Sequence, residues 1–220
     1  NASAPRAMAV LDPLKVIIDN YPEGQTEVIE VDVHPEKPEL GKAKITFGKE
    51  IYVEKSDFMI EPVKKYFRLF PGNEVRFRGA YFLTCTSYAL DENGEVTAIH
   101  CTYDPASKGG NSPDGRKVKG TIHWAGPNAF KAEVRLYDRL FTVEDPASVS
   151  DEEFPSVINK DSLVVLKDCL IEETIKNALP ESSFQFMRNG YFAVDKYSSP
   201  QSPVFNLTAT LKDSFKMPQN

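Results

Sequence analysis

Residues 80–103 read AYFLTCTSYALDENGEVTAIHCTY, and this stretch decides the fold class. Two runs rich in Val, Ile, Thr, Tyr and Phe, residues 80–90 and 95–103, flank the segment Asp91–Gly94. Aromatic and β-branched residues favour strands, and Asp-Glu-Asn-Gly has the composition of a tight turn. The stretch therefore predicts a β-hairpin.

The chain has only three cysteines, an odd and sparse set that is typical of a reducing compartment. Two of them, Cys85 and Cys101, lie on the predicted hairpin. If its turn centres on residues 93 and 94, Cys85 lies opposite Thr102 and Cys101 lies opposite Thr86. Because side chains alternate between the faces of a strand, the two sulfurs are then expected on opposite faces. We therefore predict free thiols.

Short strand-like runs continue through the second half of the chain. In Lys117–Trp124, the alternation places Val118, Ile122 and Trp124 on one face and Lys117, Lys119, Thr121 and His123 on the other. Further strands are predicted in Ala132–Val143, Ser162–Leu166, Phe184–Met187, Tyr191–Val194 and Val204–Leu211. Sixteen prolines leave room only for short helical turns, around residues 57–67 and 151–157. This pattern predicts an all-β protein built from barrels or sandwiches, with little helix.

Residues 105–115 are rich in Gly, Ser, Asn and Pro and are the best candidate for a boundary between two β-rich halves. A second, acidic loop is predicted over residues 144–154. Residues 1–5 are interpreted as a linker or a cloning remnant, residues 6–110 as a first barrel, and residues 111–216 as a second barrel.

The charge of the chain is unevenly distributed. Its formal net charge is −6, which argues against a protein that binds nucleic acid through a blanket of positive charge. Residues 64–78 nevertheless carry five basic residues and one acid, residues 116–139 carry six basic residues and two acids, and residues 144–195 carry eleven acids and four basic residues. This distribution suits contact with nucleic acid over a limited site, although solvated strand faces would give the same pattern.

Several kinds of functional site are not indicated by the sequence. No run of 18 apolar residues predicts a membrane span. The histidines and cysteines lack metal-ligand spacing, and no glycine-rich phosphate loop is present. We therefore expect no catalytic site, no metal and no cofactor in this chain.

Residues 64–78, KKYFRLFPGNEVRFR, combine basic and aromatic side chains. Arg76 and Arg78 are two residues apart, so on a strand they point to the same face. Guanidinium groups suit phosphates and base edges, and aromatic rings can stack on unpaired bases. The alternative is a surface strand whose arginines pair with acids of a neighbouring strand.

This segment is also where the chain resembles a known family, the carboxy-terminal part of glutaminyl-tRNA synthetases. The resemblance extends from Pro5 to about Lys216. Its most specific blocks are GRKVKGTIHW at residues 115–124 and VRLYDRLF at residues 134–141. Other matching blocks include PRAMAVLDP at 5–13, HPEKPELG at 34–41 and EVRFR at 74–78.

The resemblance implies two tandem β-barrels of the kind found in ribosomal 5S-RNA-binding proteins. It implies a cytoplasmic, monomeric ligase that acts on a glutamine-accepting tRNA and binds its anticodon loop through this region. The family's catalytic domain lies upstream and uses ATP and Mg²⁺. Its HIGH-like and KMSKS-like motifs are not in this sequence, so we expect this chain to recognise tRNA but not to activate glutamine.

The resemblance also implies roles for individual residues. Arg76 and Arg78 match residues that hold the first anticodon nucleotide. Arg6, Gln185 and Arg188 match residues that contact the middle uridine. Arg68 matches the arginine that reads the third base, a guanine, and Lys65 is assigned to the same site.

The sequence departs from the family near the third-base site. Other members often have Gln or Gly where this chain has Lys65, and Lys where it has Phe67, so third-base contacts are expected to differ in detail. The alternatives are a homologous glutamyl-tRNA synthetase, a free-standing RNA-binding barrel, and a protein-interaction module.

Overall fold

The computed structural model describes residues 4–112 and 114–211. The described residues form fifteen strands, joined by loops and short 3-10 helices. The strands are β1 (Arg6–Ala7), β2 (Ala9–Val10), β3 (Pro13–Ile18), β4 (Thr26–Asp32), β5 (Lys42–Gly48), β6 (Glu50–Glu54), β7 (Glu74–Phe77), β8 (Phe82–Leu90), β9 (Val96–Asp104), β10 (Thr121–Ile122), β11 (Phe130–Tyr137), β12 (Leu163–Ile171), β13 (Ser183–Phe186), β14 (Gly190–Val194) and β15 (Val204–Thr210). The 3-10 helices are Pro38–Leu40, Lys55–Asp57, Pro105–Ser107, Pro146–Ser148, Phe154–Val157 and Glu173–Ile175. Two barrel-like sheets result, which confirms the all-β prediction.

The first barrel is a six-stranded sheet in the order β10-β7-β8-β9-β3-β6. Tyr52, on the edge strand β6, exchanges two backbone hydrogen bonds of 2.8 and 2.9 Å with Ala125, just beyond the other edge strand β10. This bridge nearly closes the sheet. The β4–β5 hairpin packs Ile45 and Phe47 into the same core, where the rings of Phe47 and Trp124 meet edge to face at 5.2 Å.

The second barrel is a seven-stranded sheet in the order β1-β13-β14-β15-β11-β12-β2. Its two edge strands, β1 and β2, are separated along the chain only by Met8. The sheet must therefore curl until its edges almost meet. The core is rich in phenylalanine, and the rings of Phe186 and Phe192 stack at 4.4 Å.

Each barrel includes strands from the other part of the chain. Strands β1 and β2 precede the whole first barrel in sequence yet belong to the second sheet. Strand β10 and Trp124 lie beyond residue 110 yet belong to the first sheet and its core. The division at residues 110 and 111 stays a prediction about domain boundaries, and residues 1–3 and 212–216 of the predicted units lie outside the described residues.

The hairpin prediction is confirmed as β8 and β9, but the predicted cysteine pairing is wrong. Cys85 lies opposite Cys101, because a β-bulge leaves Thr86 without a partner between Cys85 and Ser87. The extra residue shifts the register by one and brings both cysteines to the same side of the ribbon. All three cysteines are free and buried, as predicted for the thiols, but not for the reason given above.

The predicted strand Lys117–Trp124 is much shorter than expected. Only Thr121 and Ile122 are in a strand, because Gly120 has a φ of 86°, in the left-handed region, and interrupts the extended backbone. The prediction that His123 lies on the polar face is wrong. Its side chain is buried between the two barrels, where polar groups of both surround it.

Candidate nucleic-acid interface

Arg76 and Arg78 line a cavity of about 500 Å³ that we name the Arg76 cavity. Arg76 lies on β7 and pairs with Thr121 of β10, while the backbone N–H of Arg78 donates to Ile122. The strand alternation that buries Val75 and Phe77 therefore directs both arginines away from the core. Within the described part of the chain, the Nε atoms of both arginines are buried without a hydrogen-bond acceptor.

Unsatisfied buried donors are rare in native proteins and commonly find a partner in a ligand or in water. The guanidinium of Arg76 lies 5.3 Å from the centroid of the Phe82 ring, which supports it from one side. Burial, and then the positive charge of Arg6, lower the pKa of Arg78. The Arg76 cavity is therefore suited to an anionic or hydrogen-bond-accepting ligand.

Arg6 and Gln185 form a pair that joins the start of the chain to its far end. Strand β1 runs parallel to β13 with Arg6 in register with Gln185, and the Arg6 Nε donates to Gln185 Oε1 at 3.2 Å. Because the charge of Arg6 acts on Arg78, this pair lies within electrostatic reach of the Arg76 cavity.

Lys65, Arg68 and Arg188 line a second cavity of about 520 Å³, which we name the Arg68 cavity. Lys65 and Arg188 are non-glycine residues with φ of 68°, a conformation that costs free energy and must be held by the surrounding structure. Phe67 also lines this cavity, and 47% of its surface is exposed. Basic and aromatic groups together favour a nucleic-acid base over a purely apolar ligand.

A buried carboxylate lies behind the Arg68 cavity. Asp57 is fully buried and lies 2.8 Å from Arg68 Nη1, while its two oxygens are 2.6 and 2.8 Å from the Nη atoms of Arg188. Arg68 belongs to the first half of the chain and Arg188 to the turn that follows β13. One carboxylate thus fixes two cationic groups from distant parts of the sequence.

A second buried carboxylate, Glu54, continues this polar layer between the barrels. It accepts hydrogen bonds from the backbone N–H groups of Leu11 and Asp12, and from the side chain of Asn189 at 3.1 Å. His123 Nε2 lies 3.4 Å from Glu54. Burial opposes ionisation of Glu54, but these partners outweigh it and lower its pKa. Glu54 is therefore ionised at neutral pH.

All seven predicted site residues lie in this region of the molecule. Thr121 lines both the Arg76 cavity and the Arg68 cavity, so the two are neighbours. The backbone N–H of Arg6 donates at 2.8 Å to Val33, which follows Asp32 in the lining of the first cavity. The second basic segment contributes less than its charge suggested. Arg116 is bound by Glu74, Asp104 and Asp114, and Arg135 by Glu133 and Asp195.

Asp57, Glu54 and Asn189 could not be predicted as part of the site, because acids and amides are common on surfaces and nothing in their local sequence marks them as buried. His123 was assigned to the wrong environment. Among the features of the site, only the shared direction of the Arg76 and Arg78 side chains could be predicted from the strand pattern of the sequence.

None of the short helices in residues 4–112 and 114–211 could span a lipid bilayer. The same residues contain no cluster of three or more His, Cys, Asp or Glu side chains that could hold a metal ion.

Comparison with known families accounts for this arrangement. Two family models match the chain, both described as anti-codon binding domains of class I tRNA synthetases for glutamate and glutamine. One matches residues 4–104 and the other residues 121–195. The chain belongs to this family. Apart from Gly109 and Gly120, the residues that line the two cavities lie inside these matches.

Individual relatives are similar over nearly the whole chain. A glutamine–tRNA ligase of Bradyrhizobium diazoefficiens is 50% identical over 216 residues, which are 98% of this chain and 38% of the relative. A glutamine–tRNA ligase of Clostridium perfringens is 50% identical over 217 residues, which are 98% of this chain and 39% of the relative. One from Aliivibrio salmonicida is 49% identical over 218 residues, again 98% and 39%. The chain thus spans about two fifths of the length of these relatives.

Proposed function

We propose that this chain is the anticodon-binding portion of a glutamine–tRNA ligase and that it holds the three anticodon bases of a glutamine-accepting tRNA. The observation that carries the proposal is the meeting of basic and planar side chains from three distant segments around two neighbouring cavities. Bases of a folded anticodon loop must be unstacked to enter such cavities, and stacking and hydrogen bonds then replace the contacts they lose.

A different group of side chains would hold each of the three bases. Arg76 and Arg78 would bind the first anticodon nucleotide, since their unpaired Nε donors suit phosphate or base oxygens. Arg6, Gln185 and Arg188 would contact the middle base. Lys65 and Arg68 would read the third base, and the forked guanidinium of Arg68 matches the O6 and N7 acceptors of guanine.

The complete enzyme would be a monomeric, cytoplasmic ligase. Its catalytic domain would precede this region and use ATP and Mg²⁺. The share of the relatives that this chain spans, and the description of both matching models as anticodon-binding domains, support a catalytic domain separate from the residues described above.

A glutamyl-tRNA synthetase is the second candidate, because the matching family models cover both amino acids. The names of the relatives favour glutamine. Charging assays on the complete enzyme, with glutamine and glutamate offered separately, would distinguish the two. Exclusive charging with glutamate would refute the glutamine assignment.

Anticodon reading can be tested on this chain with stem-loop RNAs that differ only at the third anticodon base. Arg68→Ala should weaken binding by about tenfold for guanine, since a good arginine–guanine contact contributes roughly 1–3 kcal/mol. RNAs with other bases should lose less. A loss of equal size for all four bases would show that Arg68 does not read this position.

A further inference from the structure

The most unusual group in the interface is the carboxylate of Asp57, which two arginines share. Its Oδ1 atom lies 2.8 Å from Arg68 Nη1 and 2.6 Å from Arg188 Nη2. Its Oδ2 accepts from Arg188 Nη1 at 2.8 Å. Asp57 is fully buried, whereas 41% of the Arg68 side chain and 29% of the Arg188 side chain are exposed. The carboxylate thus lies behind two guanidinium groups that reach the surface.

The position of Asp57 is fixed by backbone contacts on the first barrel. It is the last residue of the 3-10 helix Lys55–Asp57, and its carbonyl accepts from the backbone N–H of Leu69 at 2.9 Å. Leu69, which follows Arg68, is fully buried, and its own carbonyl accepts from Met59 at 3.1 Å. The backbones on both sides of the Asp57–Arg68 ion pair are therefore tied together.

Arg188 approaches the same carboxylate from the second barrel. It lies in the turn between β13 and β14 with a φ of 68°. The next residue, Asn189, donates to the carbonyl of Ala9 and to Glu54, which holds the turn against the layer between the barrels. The bidentate contact with Asp57 then leaves the Arg188 guanidinium little rotational freedom.

Two guanidinium groups in one cavity would repel each other without a shared anion. Within the described residues, the guanidinium of Arg68 makes its hydrogen bond and its ion pair through Nη1, which also donates to the carbonyl of Ser56 at 3.3 Å. The N–H groups on Nε and Nη2 are thus left for a ligand. Because both arginines contact Oδ1, displacement of either one changes the strength of the other's electrostatic interaction with that atom.

We propose that Asp57 is a positioning residue that orients Arg68 and Arg188 together, so that two neighbouring anticodon bases are read as one coupled event. The inference rests on the proposed function and adds to it a dependence between two base positions. Asp57 itself does not contact the RNA. It acts through the two arginines, and removing its charge should weaken discrimination at both positions at once.

The test uses the full 220-residue chain and anticodon stem-loop RNAs changed at the first base, at the middle base, at the third base, or at both the middle and third bases. Dissociation constants are measured by fluorescence anisotropy at one salt concentration. For the unaltered chain, we expect the loss from the double change to differ from the product of the single losses by at least about threefold, as for other coupled neighbours.

Asp57→Asn keeps the shape of the side chain and removes its charge. We expect the discrimination ratios at the middle and third positions to fall together by about tenfold, and the two losses to become independent. Discrimination at the first position should be unchanged. The matched control is Asp168→Asn, which neutralises an exposed carboxylate paired with Lys131 at 3.1 Å; it should leave all ratios unchanged.

A merely structural role would lower affinity equally for every RNA and leave the ratios intact, and that result would overturn the inference. So would a loss confined to one base position. If Asp57→Asn does not fold, Arg188→Lys replaces it, since lysine keeps the charge but not the forked geometry. This variant must also weaken discrimination at the third position, or the inference fails. If the unaltered chain binds all anticodons equally, the proposed function itself is refuted.

Discussion

Gly120 provides a sharp test of how the two cavities are built. It precedes β10 with a φ of 86°, and a Cβ atom added there would lie 1.9 Å from the carbonyl oxygen of Phe67. Ordinary contacts of a Cβ atom begin near 3.4 Å, so this carbonyl would have to move by about 1.5 Å. Gly115 is the matched control, because its φ is 69° and an added Cβ would meet nothing within 4 Å.

Both Gly→Ala variants place a side chain in the left-handed region, which costs about 1–2 kcal/mol. Only Gly120→Ala adds a clash with backbone, and overpacking of this kind costs roughly 1–3 kcal/mol. We therefore expect Gly120→Ala to lower the free energy of unfolding by about 2 kcal/mol more than Gly115→Ala. Urea denaturation followed by tryptophan fluorescence measures the difference, since Trp124 is buried in the adjacent core.

The same substitution should impair the site. The carbonyl of Gly120 accepts from the backbone N–H of Arg76, and Gly120 lines the Arg68 cavity beside Phe67. Displacing this segment should therefore disturb both cavities and weaken binding of the anticodon stem-loop. Equal stability and equal RNA affinity for the Gly120 and Gly115 variants would show that the close contact between Gly120 and the Phe67 carbonyl does not shape the cavities.

Three further predictions concern other parts of the molecule. Burial raises the pKa of Glu172 from 4.5 to about 7, so the folded chain holds a proton that the unfolded chain has lost between these pH values. The free energy of unfolding should fall by on the order of 3 kcal/mol as the pH rises through that window. Denaturation measured at several pH values should show that Glu172→Gln abolishes this fall, and the same pH dependence in the variant would contradict the prediction. Phe67→Ala should weaken RNA binding by about tenfold with little change in stability, because a stacked base contributes roughly 1–3 kcal/mol. The control is Tyr197→Ala, because Tyr197 is exposed and has Lys196 beside its ring, as Phe67 has Lys119; this change should not affect binding. Replacing Arg76 and Arg78 together by Gln should reduce the log–log salt slope of binding by about 1.4, at roughly 0.7 per phosphate contact, and an unaltered slope would show that they do not contact phosphate.

The fold class could be predicted from local sequence alone. The hairpin at residues 80–103 needs only β-favouring residues around a turn, and these preferences act between neighbours along the chain. The same is true of the alternation that directs Arg76 and Arg78 away from the core. Both predictions are confirmed in their main features.

Features that depend on a single residue of register could not be predicted in this way. The bulge at Thr86 changes which residue faces Cys85, and the left-handed Gly120 shortens the strand that precedes His123. Neither leaves a distinct mark in composition or period. Both depend on packing against distant strands, which selects among conformations of similar local free energy.

The strands of this chain, the position of its main hairpin and the motifs that relate it to the anticodon-binding family can be predicted from local sequence. The pairing of β1 with β13, the hydrogen bond between Arg6 and Gln185, and the position of Asp57 between Arg68 and Arg188 become apparent only in the folded molecule. The difference lies in the distance along the chain over which each interaction acts. Strand propensity and turn chemistry act over a few residues. The ion pair between Asp57 and Arg188 forms only after segments far apart in the sequence have packed together and water has been excluded from the space between the two barrels.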